Sequence, residues 1–106
     1  MSLVDPSTLR LIERLPGWRA RIFNSASMTF AHYEFDAGST IHEHHHVQEE
    51  VWNVIEGELE LTIDGVVQHA GPGLVAIVPP NTPHSVRALS DGRAIIVDYP
   101  LRPDFG

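Results

Sequence analysis

From Trp18 onward, apolar and aromatic positions alternate with polar ones, and clusters of Gly, Pro, Asn and Asp break the alternation at short intervals. A period of two is the signature of a strand with one buried face. The pattern predicts strands over residues 18–23, 27–35, 39–46, 50–56, 58–64, 66–69, 74–78, 84–89 and 94–99. Breaks fall at Asp36-Ala37-Gly38, Glu56-Gly57, Asp64-Gly65, Gly71-Pro72-Gly73, the run Pro79 to Pro83, and Ser90-Asp91-Gly92. Asp64-Gly65 is a two-residue hairpin signal, because the favoured turn needs positive φ at both central positions. Many short strands separated by Gly/Pro turns predict an all-β sandwich or barrel.

The first residues read differently. Asp5 is placed to cap a helix with Pro6 at its first position, and Leu9, Ile12 and Leu15 would share a face until Pro16-Gly17 ends it. The segment is short, and an extended arm is the alternative. The expected organisation is an N-terminal arm and first strand over 1–24 and a barrel over 25–106, one domain overall.

Length and composition fit this picture. A chain of 106 residues with 42% hydrophobic positions matches one globular domain. Its longest apolar stretch runs from Leu74 to Val78, far short of the roughly 20 residues that span a bilayer. No basic start followed by an apolar run marks a signal peptide, so the expected location is the cytoplasm. The balance of 14 acidic to 7 basic residues gives a net charge of −7. That opposes nucleic acid, which needs a basic face to release counterions, and equally an anionic membrane surface. The chain has no Cys and no Lys. Thiolate and Schiff-base chemistry are thereby excluded, and reactivity must come from His, Glu, Asp, Tyr or a bound metal.

The histidines supply that possibility. Four of the seven lie between Ile41 and Val47. On a strand, His44 and His46 point the same way, about 6.5–7 Å apart along the backbone. Glu50 keeps their parity, while His45 and Glu49 point away. Two imidazoles and a carboxylate on one face suit a divalent first-row metal, and His84, after the proline-rich run, is a fourth candidate if its strand neighbours this one. His42 shares the parity of His44 and is a candidate general base, or simply faces the barrel mouth. A slip of register to His42 and His44 would put Gln48 in the carboxylate position, a poorer donor. Trp52 and Val54 share parity with Glu50 and would wall a cavity, with Tyr33, Phe35 and Tyr99 as further candidate cavity residues. His32 and His69 read as surface or satisfied core residues.

The spacing of glycines and prolines around these residues adds a resemblance. Gly38, five residues, His44-x-His46, three residues, Glu50, six residues and Gly57 follow one another, and the run resembles the first motif of the cupin family. After fifteen intervening residues come Gly73, five residues, Pro79, one residue, Asn81, two residues and His84. These resemble the second cupin motif, with two departures: Asn81 stands where the motif has Gly, and Ala88 where it has Asn. Asn tolerates the left-handed backbone better than most residues, and Ala88 is not a ligand position. The resemblance covers about residues 25–99.

It implies an antiparallel double-sheet jelly-roll β-barrel of about six to eight strands. It also implies His44, His46, Glu50 and His84 as ligands of one divalent ion: Fe, Mn, Ni, Cu, Co or Zn. Open coordination positions in a small barrel suit a small molecule with adjacent oxygens, such as a diketone, hydroxy acid or sugar derivative. The expected function is a metal-dependent enzyme of oxygenase, isomerase, lyase or decarboxylase type; the alternative is a non-catalytic, sugar-like ligand-binding or sensing module. Small cupins resemble one another in pairing, so a homodimer is expected, with residues 5–23 as the exchanging arm that covers a sheet edge.

Overall fold

The computed structural model describes residues 3–103. Ten strands form in chain order: β1 (Ile12–Leu15), β2 (Trp18–Asn24), β3 (Thr29–Phe35), β4 (Thr40–His44), β5 (Glu49–Glu56), β6 (Leu59–Ile63), β7 (Val66–Ala70), β8 (Val75–Val78), β9 (His84–Ala88) and β10 (Gly92–Tyr99). They make two antiparallel sheets. One has six strands in the order β1-β2-β3-β10-β5-β8, and the other has four in the order β4-β9-β6-β7. This is the expected double-sheet barrel. None of the helices among the described residues is long and apolar enough to cross a membrane.

Alternation decides what is buried. In β3 every second residue is buried, from Thr29 through Ala31 and Tyr33 to Phe35, and β5 and β10 present Trp52, Val54, Ala94 and Ile96 to the same interior. Leu59, Leu61, Val86 and Ala88 face them from the smaller sheet. Trp18 sits at the middle, fully buried, with ring centroids 5.8 Å from Tyr33, 5.4 Å from Phe35 and 6.1 Å from Trp52. Phe35 is therefore part of the packed core. An aromatic cluster of this kind carries a large share of the burial energy, about 3–5 kcal/mol for truncating one such ring to Ala.

The turn readings hold where the residue types forced them. Asp64 and Gly65 have φ of 51° and 78°, as the two-residue hairpin requires. The N-terminal helix does not form. Only a 3-10 turn, Pro6–Thr8, follows Asp5, whose carboxylate accepts from the Ser7 amide. The chain then extends as β1 and pairs with β2. Pro16-Gly17, expected to stop a helix, instead closes this hairpin, with Gly17 at φ 83°, a Pro-Gly pairing suited to a type II turn. A short helix with no partner face yields to a strand that extends an existing sheet. The N-terminal segment thus pairs with its own chain.

Candidate metal centre

The strand predicted over 39–46 ends at His44, and a bend carries the chain through His46 into β5. Two features of β4 matter. Its register against β9 pairs Ile41 with Val86 but His44 with His84, so an irregularity lies between them. One extra residue on β4 changes the parity there. Ile41 packs against the core while His42 is exposed, so His42 does not share the inward direction of His44. From His44 on, the alternation resumes: His44, His46, Gln48 and Glu50 are covered, and His45, Val47 and Glu49 are exposed.

The three imidazoles converge. Ligand-capable atoms of His44, His46 and His84 all lie within 4.8 Å of one another. Glu50 joins them, with Oε1 3.5 Å from His46 Nε2 and Oε2 3.2 Å from His84 Nε2. Glu50 and His84 are almost entirely buried, at 3% and 2% exposure.

The rings are oriented from behind. His44 Nδ1 lies 2.9 Å from the His42 carbonyl, His46 Nδ1 3.1 Å from the Gln48 carbonyl, and His84 Nδ1 2.8 Å from the Thr82 carbonyl. A carbonyl only accepts, so each Nδ1 carries a hydrogen, and in the neutral ring each Nε2 then keeps its lone pair. The Nε2 atoms of His46 and His84 are buried and make no hydrogen bond. Buried nitrogen lone pairs without a donor, aimed at one another and at a carboxylate, are a donor set for a cation. The residues present therefore fit a divalent ion.

His46 is held by a further contact. Asn81 has φ 57°, and its amide donates to the His46 carbonyl at 2.7 Å. The residue that departs from the second motif thus adopts the left-handed conformation and ties the two motifs together.

Three further residues support the site from behind. Asp98 is fully buried and sits opposite Glu50 in the β10–β5 ladder. Arg102, just beyond β10, places Nη1 3.3 Å from Glu50 Oε1 and 3.4 Å from Asp98 Oδ2. Gln48 is buried and donates to the Leu101 carbonyl at 3.1 Å, fixing the tail that carries Arg102. His46, Glu50 and Asp98 form a second group close enough to share an ion. In the sequence, Asp98 is marked only by its inward position on β10, in phase with Ala94 and Ile96.

Electrostatics separates the two carboxyls. Burial alone would push Glu50 up, but the His46 and His84 imidazoles, Asp98 and the Trp52 indole, whose Nε1 donates to Oε2 at 2.8 Å, together hold it well below the usual carboxylate range. Burial, and then repulsion from Glu50, push Asp98 up to about 8. Glu50 is thus the charged member and Asp98 the protonated one at neutral pH, as two facing carboxyls demand. Burial lowers His44. For His84, burial acts in the same direction, but Glu50 and the Thr82 carbonyl outweigh it and raise the group.

Above the imidazoles opens a cavity of about 340 Å³, lined in part by Trp18, Tyr33, Trp52, Ile96 and His42. Tyr33, buried among them, has its phenol pushed up to about 12 by burial. Trp52 and Tyr33 line the space, whereas Phe35 and Tyr99 do not. Phe35 is sealed in the core, and Tyr99, on the outward parity of β10, is 55% exposed. His69 is exposed beside Glu60 at 3.3 Å, and His32 lies half-buried against Phe23 on the outer face.

Comparison with known proteins agrees with this architecture. The sequence matches the family described as "Cupin domain" over residues 31–100. No curated protein matches it. Among solved structures, an RmlC-like cupin from Shewanella frigidimarina NCIMB 400 superposes with a TM-score of 0.92 at 23% identity, covering 100% of this chain and 96% of that one. KdgF from Halomonas sp. superposes equally well, with a TM-score of 0.92 at 23% identity over 100% of this chain and 99% of its own. A single-substitution variant of oxalate decarboxylase from Bacillus subtilis aligns with a TM-score of 0.79 at 20% identity, over 89% of this chain but only 28% of that enzyme. With the family match spanning most of the chain and both histidine motifs folded into one double-sheet barrel, this protein belongs to the cupin family.

Proposed function

We propose that this protein is a metal-dependent enzyme acting on a small, oxygen-rich molecule, with His44, His46, His84 and Glu50 holding one divalent ion. The observation that carries the reading is the set of three converging imidazoles whose Nδ1 atoms are spent on backbone carbonyls, with the Nε2 atoms of His46 and His84 buried and without a hydrogen bond. A divalent ion bound there supplies a Lewis acid that polarises a substrate oxygen. The chain does the rest. Trp18, Trp52 and Tyr33 exclude water from the cavity floor, and Arg102 and Trp52 fix the Glu50 carboxylate. His42, exposed at the mouth, is the candidate general base. Oxygenase, isomerase, lyase and decarboxylase chemistry all fit such a site.

Elemental analysis of the purified protein, followed by O₂ uptake with a panel of diketones and catechols, tests the reading. Metal near one equivalent per chain, with turnover lost on chelation, supports the enzyme. Tight sugar binding without turnover supports the binding module instead, and absence of stoichiometric metal overturns both metal-based readings.

The same proposal includes a homodimer. The pairing surface in this proposal is the outer face of the six-stranded sheet. The ladder registers Ile77↔Val51, Val51↔Val97, Val97↔Phe30 and Phe30↔Phe23 lay one uncharged apolar rung across five strands. On a chain of net charge −7, two copies meet with least repulsion along such a rung.

A further inference from the structure

The cavity above the imidazoles is positively charged in an acidic protein. Among the described residues the one acidic side chain that lines it is Glu50, which is 3% exposed and held by Arg102. Two of the seven arginines, Arg14 and Arg102, line it as well. Arg102 is braced from below by Glu50 and Asp98 and extends the metal site.

Arg14 arrives by a different route. The β1–β2 ladder pairs Ile12 with Ala20 and Glu13 with Arg19, then Leu15 with Trp18, so Arg14 is the extra residue of a bulge. In a regular register it would pair in place of Leu15. The bulge lets Arg14 and Leu15 both reach the cavity, a device by which strands re-aim a side chain. Its guanidinium lies close enough to Tyr33, a cavity wall, for its charge to act on the phenol. The preceding residue has other work: Glu13 accepts from the Gly17 amide at 3.3 Å and lies 3.9 Å from Arg19. A guanidinium is a planar fork of donors matched to a carboxylate.

We infer that Arg14 is the specificity-determining residue of this pocket, binding the carboxylate of a small acid whose hydroxyl or keto oxygen reaches the imidazole cluster. This rests on the metal-centre reading and narrows it: among oxygen-rich molecules, the pocket selects anions. A cavity of about 340 Å³ lies at the small end of ligand sites, so the acid is a single small molecule.

Titration calorimetry on the metal-loaded protein tests this with matched pairs: glycolate against ethylene glycol, lactate against lactamide, and gluconate against sorbitol. At least one acid is expected to bind roughly tenfold more tightly than its neutral partner, the usual worth of a charge-assisted hydrogen-bond pair. Arg14→Gln erases that preference while leaving metal content and neutral-ligand affinity unchanged. Arg14→Lys restores part of it, since the charge returns without the fork, which a purely structural role for Arg14 does not predict. Equal affinity within every pair, or a preference that survives Arg14→Gln, overturns the inference. Metal content measured on each sample keeps the two ideas apart. Full metal without acid preference removes this inference alone, whereas absence of metal removes the centre on which it depends.

Discussion

His44 and His84 face each other across the β4–β9 ladder, with ring centroids 4.3 Å apart. They can do so because the irregularity in β4 brings His44, not Glu43, opposite His84. Their Nε2 atoms and that of His46 then form one donor set. His46→Ala and His84→Ala are each expected to take metal content from about one equivalent to near zero, with far-UV circular dichroism still reporting the barrel. His45→Ala, whose side chain is exposed, leaves metal content unchanged. Elemental analysis of the three variants beside the wild type decides the matter.

Arg102 is the counter-charge of the buried floor. Its side chain is 13% exposed and approaches both Glu50 and Asp98. Removing one member of a buried ionic set leaves an uncompensated charge, which costs about 3–5 kcal/mol. Here the low end, about 3 kcal/mol, is expected for Arg102→Ala, because Asp98 holds its proton at neutral pH and only Glu50 loses its partner. Urea unfolding at neutral pH measures it, and a loss below about 1 kcal/mol, typical of a surface pair, contradicts the buried-set description.

How much of this was legible beforehand depends on the range of the interaction. The strand pattern, the Asp64-Gly65 hairpin and the inward direction of Glu50, Trp52 and Val54 follow from period two and local turn chemistry, which act over a few residues. The bulges in β1 and β4 were not legible. Inserting one residue into a ladder is decided by the partner strand, so the parity of His42 was misassigned and Arg14 was passed over. The N-terminal helix failed for a related reason. Leu9, Ile12 and Leu15 have helical spacing, but β2 offers Ile12 and Leu15 a hydrogen-bonded edge that a lone helix lacks. Asp98 and Arg102 were invisible as a pair because their link to Glu50 spans half the chain. His84 was reachable only through the motif resemblance, since nothing local places β9 beside β4.

Two glycines with the same backbone angle separate strain from crowding. Gly38 and Gly57 both have φ 84°. A Cβ on Gly38 would meet nothing within 4 Å, whereas one on Gly57 would strike the Asp91 carbonyl and come within 3.0 Å of the Gly92 Cα. Gly38→Ala should therefore cost only the left-handed penalty of about 1–2 kcal/mol. Gly57→Ala should cost that and a steric term of about 1–3 kcal/mol more. Thermal unfolding of the two variants should order the midpoints wild type, Gly38→Ala, Gly57→Ala, and equal midpoints contradict the close packing of the Gly57 and Ser90-Asp91-Gly92 turns.

Asp36 and Arg19 predict a pH dependence with a definite sign. The guanidinium meets the carboxylate as a fork, at 2.8 and 2.9 Å, and this hydrogen bonding holds Asp36 below its ordinary value of 3.8. The folded group releases its proton at lower pH than the unfolded one, so between those values the unfolded chain binds more protons and stability rises with pH. The contribution is fully present above the unfolded value and is lost as pH falls through the folded one. The stability gap between wild type and Asp36→Asn should be flat above about pH 5 and close in more acid solution. The carboxylate is exposed, so added salt should narrow the gap. Urea midpoints across the acid range provide the check, and a gap that widens toward low pH refutes the assignment.

The outer face of the larger sheet makes the last prediction. Phe23 and Phe30 stack there at 5.1 Å with planes 6° apart, and the rung continues through Val97 and Val51 to Ile77, which is 59% exposed. A rung of this width without a charge is unusual on a chain whose balance is −7, and burying it against a second copy removes apolar area from water at about 25 cal/mol per Å². Sedimentation at micromolar concentration should therefore give a dimer for the wild type. Ile77→Glu places two like charges near a two-fold contact, where no partner compensates them, and should shift the population to monomer without lowering the unfolding midpoint of the monomer itself. Because the histidine centre is built within one barrel, that monomer should keep its metal. A wild type that sediments as a monomer, or an Ile77→Glu dimer of undiminished affinity, rejects this face as the pairing surface.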